Sequence, residues 1–151
     1  MELDTKNIKI DGSSVKVGII VPYFNESIGL ELLKNCKDEL LEQNVAEENI
    51  SITRVAGALE TPFAASKIIQ TEQPDAVITL GAIIKGETSH YDLVTEKTYD
   101  GLMAVQLNTG IPIIFGILTC ENEKQAKERS SKKGLNKGKQ AAQAALIQAT
   151  L

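Results

Sequence analysis

Tryptophan is absent from the 151-residue chain, aromatic residues make up 4% of it, and histidine occurs once. Each Phe and Tyr is therefore informative about packing or binding, and proton transfer near neutral pH falls first to His90. The two cysteines, Cys36 and Cys120, have neither a CxxC spacing nor nearby histidines. They make a poor metal set and read as reduced, small core residues. No apolar run approaches the ~20 residues of a membrane span, and the N-terminal Met-Glu-Leu-Asp-Thr-Lys lacks the apolar centre of a signal peptide. A cytoplasmic location is expected. The net charge of −4, from 16 basic and 20 acidic residues, argues against a general nucleic-acid or acidic-membrane binder. Any anion site must be local.

What is present is ordinary for a globular protein: 42% hydrophobic and 24% charged residues. The length predicts one domain over residues 1–151, with residues 1–13 as an N-terminal arm whose Ile8-Lys9-Ile10 fits a short edge strand or a swapped arm. Val15–Val21 reads as a strand buried on both faces, ending at Pro22-Tyr23-Phe24-Asn25. Asn25 is a candidate cap for a helix with Ile28, Leu32, Cys36 and Leu40 on its inner face. Ile50–Val55 alternates as a strand, and Thr61-Pro62 opens a second helix continued by Ala64, Ala65, Ile68 and Ile69. A third helix runs through Tyr91, Val94, Thr98, Leu102 and Val105 to Thr109-Gly110. Ile111–Leu118 follows as a strand, then a short polar helix over 121–129 and an alanine-rich helix from Asn136. Strand and helix alternate four times, which predicts a parallel sheet with helices on both faces.

The chain is organised around Asp75–His90. Its first half is apolar and β-branched, and the strand is expected to break at glycine, where Gly81 and Gly86 allow turns. Lys85, Thr88, Ser89 and His90 then crowd polar groups onto the strand's carboxyl end. Ser89 and Asp92 have capping-box spacing, so a helix begins here with free N–H groups suited to an anion. The clusters at 23–25, 57–60 and 85–90 all fall at carboxyl ends of strands, where open α/β sheets bind ligands.

Taken singly these residues admit two readings each. Phe24 fits core packing as well as stacking on a flat heterocycle. Glu60 fits a helix-dipole partner as well as an acceptor for ring N–H groups. Arg129 and Lys137 fit solvated charges, and Phe115 fits a core strand. A receiver-type signalling domain would need acidic residues after the first strand to hold Mg²⁺, and Val21-Pro22-Tyr23-Phe24 offers none.

The ordered series Tyr23-Phe24-Asn25, Val55–Glu60, Leu80–Asp92, Ile114–Thr119, Glu128-Arg129 and Asn136-Lys137-Gly138 resembles lumazine synthases over about residues 15–150. The resemblance implies a flavodoxin-like α/β sandwich with a four-stranded parallel sheet, acting as 6,7-dimethyl-8-ribityllumazine synthase in riboflavin biosynthesis. It implies small-molecule substrates, no cofactor or metal, and a homopentamer or larger cage. Phe24 would stack on the pyrimidinedione of 5-amino-6-ribitylaminouracil. Ala58, Leu59 and Glu60 would bind that ring and its ribityl chain, and Ala82, Ile83 and Ile84 would line the same pocket. Glu87 and Thr88, through backbone N–H groups, would hold the phosphate of 3,4-dihydroxy-2-butanone 4-phosphate with Arg129 as its cation. His90 would transfer protons, Phe115 would come from a neighbouring subunit, and Lys137 would lie near the substrates. Leu59 stands where a larger aromatic is frequent. A non-catalytic flavin- or lumazine-binding shell is the alternative, keeping Phe24 and Glu60 without needing His90 and Arg129.

Overall fold

The computed structural model describes residues 8–151. Four parallel strands, β1 (Val17–Pro22), β2 (Ile50–Val55), β3 (Ala76–Ile84) and β4 (Ile113–Cys120), form one sheet in the order β2-β1-β3-β4. The connecting helices are α1 (Glu26–Glu42), α2 (Thr61–Glu72) and α3 (His90–Thr109), with α4 (Glu123–Ser130) and α5 (Lys137–Ala149) after the last strand. This is the flavodoxin-like three-layer sandwich.

Alternation along the strands divides the core in two. Val17, Ile19 and Val21 point to one face, where Ile28, Leu32, Cys36 and Leu40 of α1 meet Ala142, Ala145 and Leu146 of α5. Ile20 and Val77 point to the other, against Ala65 and Ile68 of α2 and Leu102 of α3. The helical faces predicted from four-residue recurrence are thus the buried ones. Because both sheet faces are covered, β1 and most of β3 read as continuous apolar runs.

Three local expectations are corrected. β3 does not break at Gly81 but runs on to Ile84. Gly81 serves a close approach instead: a Cβ there would lie 3.2 Å from Cδ of Pro22. β4 starts at Ile113, two residues late, since Pro112 has no N–H for the ladder; its carbonyl accepts from Val77 N at 2.9 Å. Ile8–Ile10 forms no strand. The side-chain amide of Gln43 takes up its backbone groups, accepting from Ile10 N at 2.9 Å and donating to Ile8 O at 3.0 Å. Residues 1–7 of the proposed arm lie outside the described residues. Among the described residues no helix is long and apolar enough to cross a membrane.

Candidate functional site

In this strand order the chain reverses direction between β1 and β3, and a cleft of about 360 Å³ opens beyond their carboxyl ends. Its walls come from Pro22, Phe24 and Asn25 after β1, Gly57–Glu60 after β2, Ala82–Ile84, Gly86 and Thr88 at the end of β3, and His90, Tyr91 and Val94 of α3. The three clusters that the sequence places at strand ends therefore meet at one site.

Each wall has a local cause. The β1/β2 pairing extends past the strands, with Tyr23 N donating to Val55 O at 2.7 Å and Phe24 N to Ala56 O at 3.1 Å. Asn25 then takes the left-handed conformation (φ 56°), which asparagine tolerates better than most residues. It does not cap α1 through its side chain, contrary to expectation. Its Nδ2 donates to Ala82 O at 2.8 Å, tying the β1–α1 turn to β3. Phe24 is 72% exposed, so its ring is not core packing. After β2, Ala58–Glu60 forms a 3₁₀ turn leading directly into α2, and Thr61 Oγ1 donates to Ala58 O at 2.6 Å. Leu59 and Glu60 are both exposed at this turn.

At the end of β3, Lys85 N donates to Cys120 O at 2.9 Å and the Lys85 ammonium lies 3.7 Å from Glu121. Gly86 faces open space. The expected capping box at Ser89 does not form: Ser89 makes no side-chain cap, and Thr88 Oγ1 instead accepts from His90 N at 3.3 Å. His90 is the first residue of α3 and is exposed to the cleft mouth. A 20-residue helix begins there, so the turn sits at the positive end of its dipole. Glu87 is exposed in this turn and does not line the cleft.

Phe115, Arg129 and Lys137 are not at this cleft. They line a second concavity of about 440 Å³ along β4, the sheet's edge strand. There the Phe115 ring packs edge-on against Tyr99, with centroids 5.3 Å apart. Arg129 Nη1 donates to Gln125 O at 3.4 Å, and Lys137 Nζ to Gln140 Oε1 at 3.3 Å. One chain thus carries two groups of candidate residues on separate surfaces. Tyr91 and Val94 line the first cleft although their helical spacing reads only as an inner face. Among the described residues no three His, Cys, Asp or Glu side chains cluster as metal ligands would.

Fold and cleft define a flavodoxin-like α/β protein with a concavity at the switch point of its sheet, lined by aliphatic side chains, the exposed Phe24 ring, Glu60, Thr88 and His90. A family model described as 6,7-dimethyl-8-ribityllumazine synthase matches residues 14–151, and the chain belongs to that family. Membership makes it a transferase of riboflavin biosynthesis, acting on small molecules within an oligomeric assembly.

Proposed function

We propose that the chain condenses 5-amino-6-(D-ribitylamino)uracil with 3,4-dihydroxy-2-butanone 4-phosphate to give 6,7-dimethyl-8-ribityllumazine, phosphate and two waters. The observation that carries this reading is the meeting of Phe24, the Ala58–Glu60 turn and His90 around one cleft. Phe24 offers a face for the pyrimidinedione, with Ala82, Ile83 and Ile84 beneath it. Glu60 accepts hydrogen bonds from the ribityl chain or ring, beside the backbone of Ala58 and the Leu59 side chain. The turn at Glu87-Thr88, at the N-terminus of α3, receives the phosphate through backbone N–H groups.

The amine attacks the ketone, and water leaves as the imine forms. Elimination then expels phosphate, and ring closure loses the second water. Each step moves protons beside an anion, work suited to His90 at the helix start. Orienting two substrates supplies much of the acceleration, so a small catalytic set is adequate. Phe115, Arg129 and Lys137 act from a neighbouring copy in a homopentamer, and larger cages of pentamers are compatible with this. Their position on a separate edge of the chain supports the shared site, because on their own chain they do not line the cleft. The protein works in the cytoplasm.

The test is formation of lumazine, followed by absorbance and fluorescence, from both substrates without added metal or cofactor. Wild-type protein is expected to make product, and Phe24→Ala to make much less. No product, together with tight binding of lumazine or riboflavin, would replace this reading with that of a non-catalytic shell.

A further inference from the structure

Phe24 presents a difficulty that its own contacts do not solve. A ring that is 72% exposed has little packing to fix its direction. Its orientation is inherited from the turn that carries it. That turn contains Asn25 in the left-handed conformation, which costs a non-glycine residue roughly 1 kcal/mol or more and persists only where the surroundings impose it. On the β3 side the tie is the bond from Asn25 Nδ2 to Ala82 O at 2.8 Å.

On the β2 side the tie is Arg54, a residue outside the cleft. Its Cα pairs with Val21 in the sheet register, and its side chain reaches forward over the end of β1. Nε donates to Val21 O at 3.0 Å. Nη2 lies 3.4 Å from Pro22 O and 2.8 Å from Oε2 of Glu26, the first residue of α1. The guanidinium carbon stands 4.1 Å from the centroid of the Tyr23 ring. One side chain thus engages residues 21, 22, 23 and 26, bracketing Phe24 on both sides. Its side chain is 24% exposed, which favours the carbonyl and cation–π contacts, while the Glu26 carboxylate, 49% exposed, adds a solvent-screened ion pair.

We propose that Arg54, acting with Tyr23, is a positioning residue that sets the orientation of Phe24 and so the affinity for the ring-bearing substrate. This rests on the reading of Phe24 as the ring platform. The geometry needs arginine: a lysine ammonium can meet Glu26 or a carbonyl, but it cannot also lay a planar face on Tyr23. Arg54 lies 33 and 32 positions from the carbonyls it holds, and no local motif marks it.

The test compares wild type, Arg54→Met, which keeps an apolar stem, and Arg54→Lys, all as assembled protein. Two quantities are measured: KM for each substrate, and Kd for 6,7-dimethyl-8-ribityllumazine by fluorescence titration. For Arg54→Met the uracil KM and the lumazine Kd should both rise roughly ten-fold, with the butanone phosphate KM changing less than about two-fold, as expected for a displaced ring platform. Arg54→Lys should shift the same two quantities, but less. Unchanged uracil KM and lumazine Kd, or both KM values rising together, would overturn the role. If the wild type makes no product, the reaction is wrong, and the titration alone decides: weaker lumazine binding in Arg54→Met supports positioning and equal binding removes it. Should Arg54→Met fail to assemble, Tyr23→Leu removes only the stacked face and must raise the lumazine Kd for the proposal to stand.

Discussion

His90 stands exposed at the start of α3, with its backbone N–H on Thr88 and its side chain free to face a substrate. In the proposed reaction it moves protons, so His90→Ala should lower kcat by about 10–10³-fold, less than the loss of many general acid–base groups because orientation carries part of the rate. Unaltered turnover would remove that role. Arg129 sits on the other surface with a weak bond to Gln125 O; Arg129→Ala should mainly raise the KM for the phosphorylated ketone, and an unchanged value would take it out of the site. Cys36 behaves differently from both. Burial, and then the carboxylate of Glu39, push its thiol well above the ordinary range, and it is fully buried. The thiolate is the reactive form, so alkylation should be blocked in the folded protein and fast after denaturation. A raised folded pKa gives a stability contribution that is present below the unfolded thiol's value of about 8.5 and lost as pH rises past it. Burial raises Cys120 and Tyr99 as well, so the denaturation midpoint should fall with pH above that point in wild type and in Cys36→Ala, but less steeply in the variant; equal slopes would remove the Cys36 contribution. The cysteine pair was legible as core from its spacing and the lack of nearby histidines, whereas Arg54 was not, because its partners are distant in sequence.

The elements follow local rules where burial and periodicity agree. α1 and α3 lie where apolar residues recur every three or four positions, and α3 ends at Gly110 with φ 71°, a conformation glycine adopts without strain. The departures occur where a distant partner overrides a local signal. Asn25 and Ser89 carry cap chemistry, but one is drawn to Ala82 O and the other is displaced by Thr88. Gly81 looked like a strand end, yet its use is contact with Pro22 across the sheet. The α1/α5 contact has a comparable demand. A Cβ on Gly138 would press against the Leu32 carbonyl and lie 3.2 Å from Cβ of Asn35. Backbone cannot yield as a side chain can, so Gly138→Ala should destabilise by about 1–3 kcal/mol despite alanine's better helix propensity. Urea unfolding at equal m-values measures this; a gain in stability would mean that the helices separate at little cost.

At the scale of the molecule, strand order places the cleft at the switch between β1 and β3 and leaves β4 and its concavity at the edge. The sheet and its two helical layers were legible because four alternations of strand and helix admit few arrangements. The separation of Phe115, Arg129 and Lys137 from Phe24 and His90 was only partly so. The resemblance assigns Phe115 to a neighbouring subunit, but for Arg129 and Lys137 the separation appears in the fold, where both line the β4 concavity and not the cleft. In the proposed reaction two copies of the chain complete one site for lumazine formation. Co-expressed His90→Ala and Arg129→Ala chains, co-purified as mixed oligomers and assayed at low butanone phosphate, test it most directly. Mixed oligomers should be more active than either variant alone, since some sites then join an intact cleft to an intact edge. Activity no higher than the average of the two separate variants would contradict a site shared between copies.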